Sequence, residues 1–185
     1  MSAPSRPQLN HVAFLVRDVK NLAAGWQEQG FPVGALEDFP GEGTREAYVG
    51  PPGFTGRLLL LQAIGPGPYA RALEKRGPGL HHLGIDTLDL EGYLARLEAG
   101  GWSRHPVTEQ SLARHRTAYL YCREVPTLLE VHARDPISTP SHFIHKVEIP
   151  TTLLAPLQAI ELGELHPSPN EHAWITCQRK RLRPV

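Results

Sequence analysis

Short apolar runs alternate with amphipathic segments along this chain, and they predict strands and helices in a regular order. The run from Leu9 to Val16 is short and rich in aromatic and aliphatic residues, which predicts a β-strand. Asp18 then precedes a helical spacing of apolar residues over 19–26, as expected for an N-cap and an amphipathic helix. Further apolar stretches at 45–49 and 57–63 predict two more strands.

The same order of elements occurs twice. A shift of 71 positions places Leu9–Asp18 on Leu80–Asp89 and Arg45–Val49 on Arg116–Leu120, without a gap. The sequence therefore predicts two repeats, residues 9–63 and 80–134. Each repeat reads as strand, helix and two strands, with room for one more short strand at 32–38 in the first copy and at 103–108 in the second.

These patterns predict an α+β protein with one main domain and an appendage. The main domain spans 8–135 and contains both repeats, joined by Gly- and Pro-rich breaks that flank a short helix at 69–76. Residues 136–185 form a C-terminal α/β extension. Its predicted elements are strands at 143–149 and 172–178, a helical stretch near 153–162 and a solvated basic end at 179–183. Residues 109–116 read as a loop.

Composition excludes several classes of function and leaves a metal site open. The chain has 185 residues, and its 19 basic residues balance 19 acidic ones, so there is no general electrostatic attraction for nucleic acid or membrane. Two cysteines are too few for a disulfide framework, and the N-terminus lacks the pattern of a secretory signal. We therefore expect a cytoplasmic protein. Ten histidines raise metal binding and proton transfer as possibilities.

Three residues stand out as a candidate metal site. His11 and His82 occupy the same position in the two repeats, and Glu130 lies inside the apolar run Leu128–Val131. An ionised carboxylate in a buried strand is costly unless a positive charge meets it, and a divalent metal held by two His and one carboxylate supplies that charge. Co, Mn, Zn, Ni and Fe all suit such ligands. The alternative is that Glu130 faces solvent in a strand shifted by one residue.

Three segments resemble the vicinal oxygen chelate superfamily, which includes glyoxalases, bleomycin-resistance proteins and extradiol dioxygenases. They are Leu9–Phe14, Ala72–Asp86 with its Lys-Arg-Gly-Pro-Gly-Leu-His-His run, and Leu128–Val131, and within the superfamily they are most similar to the methylmalonyl-CoA epimerases. The resemblance covers residues 9–134. It implies two tandem βαβββ modules that form a curved, half-barrel mixed sheet around a divalent metal ion, and a homodimer.

The resemblance also implies roles for individual residues. His11, His82 and Glu130 correspond to the metal ligands, and Glu46, in Gly43-Thr-Arg-Glu46, corresponds to a general base. Glu130 could serve as the second acid–base group that epimerisation needs. The alternative for Glu46 is a surface ion pair with Arg45 or Arg57. The implied reaction is proton transfer next to a carbonyl or acyl thioester, with the metal acting as a Lewis acid towards a small chelating substrate.

The sequence departs from the family pattern at two places. The position of a fourth ligand falls on Leu59, which cannot bind a metal, and Gln62 reaches the site only if the strand contains a bulge. An open position would also suit an Fe(II) extradiol-type dioxygenase. In place of a Gly-rich run, the chain has Arg114 and Arg116, which with Tyr119 are candidates for binding the substrate. A further alternative is a non-catalytic protein that binds small molecules such as drugs.

Overall fold

The computed structural model describes residues 6–135 and 141–185. Residues 1–5 and 136–140, which include the start of the predicted extension, lie outside the described residues. The strands and helices follow in chain order: β1 Gln8–Val16, α1 Val19–Glu28, β2 Glu37–Phe39, β3 Thr44–Val49, β4 Arg57–Ala63, α2 Pro68–Arg76, β5 Gly79–Thr87, α3 Leu90–Ala99, β6 Ser103–Arg104, α4 Thr108–His115, β7 Thr117–Cys122, β8 Val125–Ala133, β9 Ile144–Pro150, α5 Ala155–Ala159, β10 Leu165–Ser168, β11 Trp174–Cys177 and β12 Lys180–Leu182.

The first eight strands form one curved mixed sheet in the order β2-β3-β4-β1-β5-β8-β7-β6. The strands β1 and β4 are parallel, as are β5 and β8, and the central pair β1–β5 is antiparallel. The sheet therefore consists of two four-stranded halves that meet along β1 and β5. It is an open α+β sheet and not a closed barrel, as the sequence predicted.

The two halves repeat closely in their first elements. Strand β5 and helix α3 begin and end 71 residues after β1 and α1, the same separation as between His11 and His82. The caps repeat as well: the side chain of Asp18 accepts a hydrogen bond from the backbone N–H of Asn21, and that of Asp89 accepts one from Gly92, each at 3.0 Å. Such caps satisfy N–H groups that have no partner within the helix.

The main hydrophobic core lies between one face of the large sheet, α1, α3 and the C-terminal extension. Alternate residues of the longer strands point to this face, for example Val12 and Phe14 of β1, which pack with Trp26 of α1 and Leu94 of α3. The other face of β1 and β4 carries a smaller apolar cluster, Ala13, Leu15, Leu59 and Leu61, against which Tyr69, Ala72 and Leu73 of α2 pack. The short helix α2 thus covers part of the concave face.

The extension forms a four-stranded sheet, β10-β9-β11-β12, that shares the main core. Two buried aromatic side chains of the second repeat donate hydrogen bonds to its backbone. The Tyr93 hydroxyl donates to the carbonyl of Ile160 at 2.7 Å, and the Trp102 indole donates to the carbonyl of Pro156 at 2.9 Å. Burying Tyr and Trp is favourable only when these polar groups are paired, so the extension completes the packing of α3.

Four local predictions differ from the structure. Residues 109–115 are not a loop but form most of helix α4, whose sequence contains good helix formers and no glycine, and Arg116 follows as its C-cap. The basic end at 179–183 is mostly exposed, as predicted, but it also contains the unpredicted strand β12. Strand β10 was missed because its Pro167 does not fit the usual strand pattern. The additional strands predicted at 32–38 and 103–108 are reduced to three and two residues, in β2 and β6. Among the described residues, no helix combines the length and hydropathy needed to cross a membrane.

Candidate metal centre

Three neighbouring strands bring His11, His82 and Glu130 together on the concave face. His11 lies on β1, His82 on β5 and Glu130 on β8, and these strands are adjacent in the order β1-β5-β8. Both imidazoles are buried, and the side chain of Glu130 is 17% exposed. Glu130 therefore faces inwards, and the solvent-facing alternative for this residue does not hold.

The distances among the three side chains fit a shared cation. His11 Nε2 lies 2.9 Å from His82 Nε2, and Glu130 Oε2 lies 3.6 Å from the first and 3.2 Å from the second. Ligand atoms that are each about 2.1 Å from one ion lie about 3.0–3.4 Å from one another in octahedral or tetrahedral geometry. Two imidazole nitrogens and a carboxylate are also the ligand types that divalent transition metals take. The residues present therefore fit a divalent metal ion.

Contacts with neighbouring side chains stabilise the ionised form of Glu130. Burial alone raises the pKa of its carboxyl, but the close approach of the His11 and His82 imidazoles outweighs burial and holds the pKa well below its usual range. Its other oxygen, Oε1, accepts a hydrogen bond from the Tyr119 hydroxyl at 2.8 Å. Burial also lowers the pKa of His11, which keeps that imidazole neutral and able to bind a metal.

A glycine makes room for the His11 ring. Gly84 lies directly opposite His11 in the β1–β5 pairing, and it is also paired with Glu130 across β5 and β8. A Cβ added at Gly84 would overlap the Cε1 and Nδ1 atoms of His11 and would lie 2.7 Å from its Nε2. A glycine inside a strand often marks such a close approach, so Gly84 within its apolar strand was the sequence feature that could have indicated it.

The side chains of the residues just before the two histidines contact their rings. Asn10 Oδ1 lies 2.9 Å from His11 Nδ1, and His81 Nδ1 lies 2.9 Å from His82 Nδ1. The Asn10 amide in turn donates to Asp86 Oδ2 at 2.6 Å. Sequence reasoning missed both contacts, although Asn10 and His81 also occupy repeat-related positions.

Glu46 lies on β3, beside this cluster. Its carboxylate is partly buried and accepts a hydrogen bond from the Thr44 hydroxyl at 2.8 Å. Burial raises its pKa, the Thr44 hydrogen bond lowers it, and His82 and Glu130 are close enough to influence it as well. Among residues 6–135 and 141–185 no ion pair joins Glu46 to Arg45 or Arg57, because Arg45 pairs with Asp38 and Arg57 stacks on Tyr48.

The position of a fourth protein ligand is apolar. Leu59 is buried in the small cluster on the concave face of β4, where it pairs with Tyr48. Gln62 does not reach the site, because β1 and β4 pair without a bulge and the Gln62 side chain accepts a hydrogen bond from the backbone N–H of Val19 at 3.0 Å. Gln62 thus binds the start of α1, and the ligand candidates at the site, within the described part of the chain, are His11, His82 and Glu130.

Of the predicted substrate-binding residues, only Tyr119 contacts the cluster. Arg114 and Arg116 are exposed at the end of α4, and neither forms a hydrogen bond or ion pair with the cluster in the part of the chain that the structure describes. His132 was missed: its Nε2 lies 3.7 Å from Glu130 Oε2 and its Nδ1 lies 3.2 Å from the Thr117 hydroxyl. Its position two residues after Glu130, on the same strand face, was the signal.

Comparison with solved structures places this geometry in a known fold. The methylmalonyl-CoA epimerase from Mycobacterium tuberculosis is 25% identical, with a TM-score of 0.54, over 74% of this chain and 94% of that chain. The Streptomyces coelicolor methylmalonyl-CoA epimerase in complex with 2-nitronate-propionyl-CoA is 22% identical, with a TM-score of 0.53, over 70% of this chain and all of that one. These epimerases are members of the vicinal oxygen chelate superfamily. This chain has the vicinal oxygen chelate fold.

A hypothetical protein from Bacillus halodurans has a similar structure, at 22% identity and a TM-score of 0.55, over 73% of this chain and 100% of that chain. No protein-family model matches the sequence, and no curated protein matches it. The fold similarity predicted from the three sequence segments is therefore confirmed at the level of structure. Within this fold, His11, His82 and Glu130 form a group that could hold a metal ion.

Proposed function

We propose that this protein is a metal-dependent enzyme that transfers a proton at the carbon next to a carbonyl or acyl thioester. The observation that carries the proposal is the juxtaposition of His11, His82 and Glu130 with a fourth group, Glu46, whose pKa is raised by burial. His11, His82 and Glu130 would hold a divalent ion. That ion would supply Lewis-acid stabilisation of the negative charge that develops on the substrate oxygen.

Glu46 is the proton acceptor in this proposal. A general base works best when its pKa lies near the operating pH, and partial burial moves the pKa of Glu46 in that direction. The Thr44 hydroxyl donates to one oxygen of Glu46 and so fixes the orientation of the carboxylate. Tyr48, two residues along the same strand face, places its ring against His11 at 6.0 Å between centroids. Glu46 and the proposed ligands therefore share one concave surface.

Glu130 is assigned as a ligand and not as the second proton carrier. A carboxylate whose pKa is held well below its usual range is a poor proton donor near neutral pH. Exchange of a substrate proton with solvent needs one base only, whereas inversion at the carbon needs a second group on the opposite face. Proton exchange without inversion would therefore indicate an enzyme that uses Glu46 as its one base, whereas exchange with inversion would indicate an epimerase with a second acid–base group.

The experiment uses a racemisable acyl thioester, such as a methyl-branched malonyl thioester, in deuterated water with each divalent ion in turn. We expect metal-dependent incorporation of deuterium next to the thioester carbonyl, and loss of incorporation in Glu46→Gln with unchanged metal content. Glu37→Gln is the matched control, because Glu37 is exposed and lies opposite Glu46 on the neighbouring strand. Exchange by Glu46→Gln at the wild-type rate would contradict the assignment. A protein that binds no metal would favour simple small-molecule binding.

One observation favours a second candidate, an Fe(II) oxygenase of the extradiol type. Leu59 stands where a fourth ligand would complete the set, and two His with one carboxylate leave coordination positions open for substrate and oxygen. Oxygen consumption with catechols by anaerobically iron-loaded protein would support this candidate. Absence of oxygen consumption together with thioester exchange would exclude it.

A further inference from the structure

We propose that Asn10 and His81 are positioning residues that fix the tautomers of the two histidine ligands, so that each presents an unprotonated Nε2 to the metal. This inference rests on the proposed function, because it takes His11 and His82 as ligands. The two positioning residues lie 71 positions apart, like the histidines that follow them, and each contacts the Nδ1 atom of its neighbour. The repeat therefore carries two ligands and two matched supports.

In the first repeat, hydrogen-bond chemistry determines the tautomer. The Asn10 group that faces Asp86 is the NH₂ group, which donates a hydrogen bond to Asp86 Oδ2 at 2.6 Å. The carbonyl oxygen of Asn10 then faces His11 Nδ1 at 2.9 Å, and it can only accept. His11 must therefore carry its proton on Nδ1, which leaves the lone pair on Nε2 free for a metal ion.

In the second repeat, His81 takes the place of the Asn10 carbonyl. The Nδ1 atoms of His81 and His82 are 2.9 Å apart, so one must donate and the other accept. When His82 Nε2 binds a metal, the proton of His82 resides on Nδ1, and His81 Nδ1 is the acceptor. His81 is buried, and its ring packs on Tyr69 with 5.0 Å between centroids, which holds it in place.

The test compares two substitutions at one position. His81→Leu and His81→Asn both remove the ring that packs on Tyr69, but only asparagine retains an oxygen that accepts a hydrogen bond, as Asn10 does in the first repeat. Loss of such a support typically weakens metal binding about 10–100-fold. We expect this loss in His81→Leu and near wild-type Zn²⁺ affinity in His81→Asn, measured by competition with a chromophoric chelator. Equal losses in the two variants would overturn the proposal.

Two further measurements separate this role from a purely structural one. In the Zn²⁺-loaded wild-type protein, histidine ¹H–¹⁵N spectra should show protons on Nδ1 of His11 and His82, and a proton on Nε2 of either ligand would overturn the proposal. Asp86→Asn should weaken Zn²⁺ binding as well, because an amide there can also donate and so allows Asn10 to turn. Failure of the wild-type protein to bind Zn²⁺ would refute the proposed metal site itself, whereas normal binding with no difference between His81→Leu and His81→Asn refutes only this inference.

Discussion

Replacing Gly84 with alanine should remove the metal site while leaving the fold in place. The added Cβ would lie 2.7 Å from His11 Nε2, whereas ordinary van der Waals contact begins at 3.4 Å. The difference means that Nε2 must move by about 0.7 Å, and the overlapped atoms Cε1 and Nδ1 must move further. Metal sites tolerate ligand displacements of only about 0.2 Å. His11 is therefore displaced from the ligand set.

The expected magnitudes follow from this displacement. Loss of a direct ligand should exceed the loss caused by removing a supporting hydrogen bond, so we expect Zn²⁺ affinity to fall more than about 100-fold. Overpacking a well-packed site usually costs about 1–3 kcal/mol of folding free energy, which most domains of this size can lose without unfolding. Chelator competition gives the affinity, and denaturant unfolding of the metal-free protein gives the stability.

Gly25→Ala is the matched control for this substitution. Gly25 lies inside α1, and a Cβ there has no atom within 4 Å, so metal affinity should not change. Alanine in a helix interior should instead stabilise the protein by about 0.5–1 kcal/mol. Wild-type Zn²⁺ affinity in folded Gly84→Ala would refute the reasoning that the close approach at β1 and β5 sets the position of His11.

Three other predictions follow from single contacts. Tyr119→Phe removes the hydrogen bond to Glu130 Oε1 and should weaken Zn²⁺ binding by about tenfold, with Tyr121→Phe, on an exposed position of the same strand, as the unaffected control. Tyr93→Phe leaves the buried carbonyl of Ile160 without its donor and should cost about 1–3 kcal/mol in denaturant unfolding, with metal affinity unchanged. Burial lowers the pKa of His81 to about 3, so below pH 6.5 the unfolded chain binds a proton that the folded chain excludes. The metal-free protein should therefore be most stable above pH 6.5. On going to pH 5 its free energy of unfolding should fall by about 2 kcal/mol from this group alone. His81→Asn should reduce that pH dependence, and an unchanged slope would show that His81 is not its source.

The strands and helices that carry the proposed ligands could be predicted because two independent patterns agreed on them. Alternation and helical spacing indicated β1 and α1, and the repeat then indicated β5 and α3 at the same offset. The residues 109–116 show the limit of this reasoning. They have no counterpart of matching structure in the first repeat, and helix α4 depends on their own helix propensity and on the Thr108 hydroxyl, which donates to the carbonyl of Tyr119.

The candidate site could be predicted only as far as strand position determines it. His11, His82 and Glu130 follow from alternation and the repeat, because side chains at equivalent strand positions point to the same face. The roles of Asn10 and His81 depend on which side-chain atoms come within hydrogen-bond distance, and no periodicity reports that. Whether Gln62 is a fourth ligand could not be decided from the sequence either. The answer depends on the register of β1 and β4, since a single bulge would have turned the Gln62 side chain to the other face.

The pairing of β1 with β5 would couple metal binding to the association of the two halves of the large sheet. Strands β1 and β5 form the only pairing between the two four-stranded halves in that sheet, as far as the described strands show, and the two candidate histidine ligands lie one on each side of it. An ion bound by both would tie the halves together, so its binding free energy would add to their association. At a free ion concentration 100 times the dissociation constant, this amounts to about 2.7 kcal/mol. A catalytic ion bound at this position would thus also stabilise the association of the two repeats.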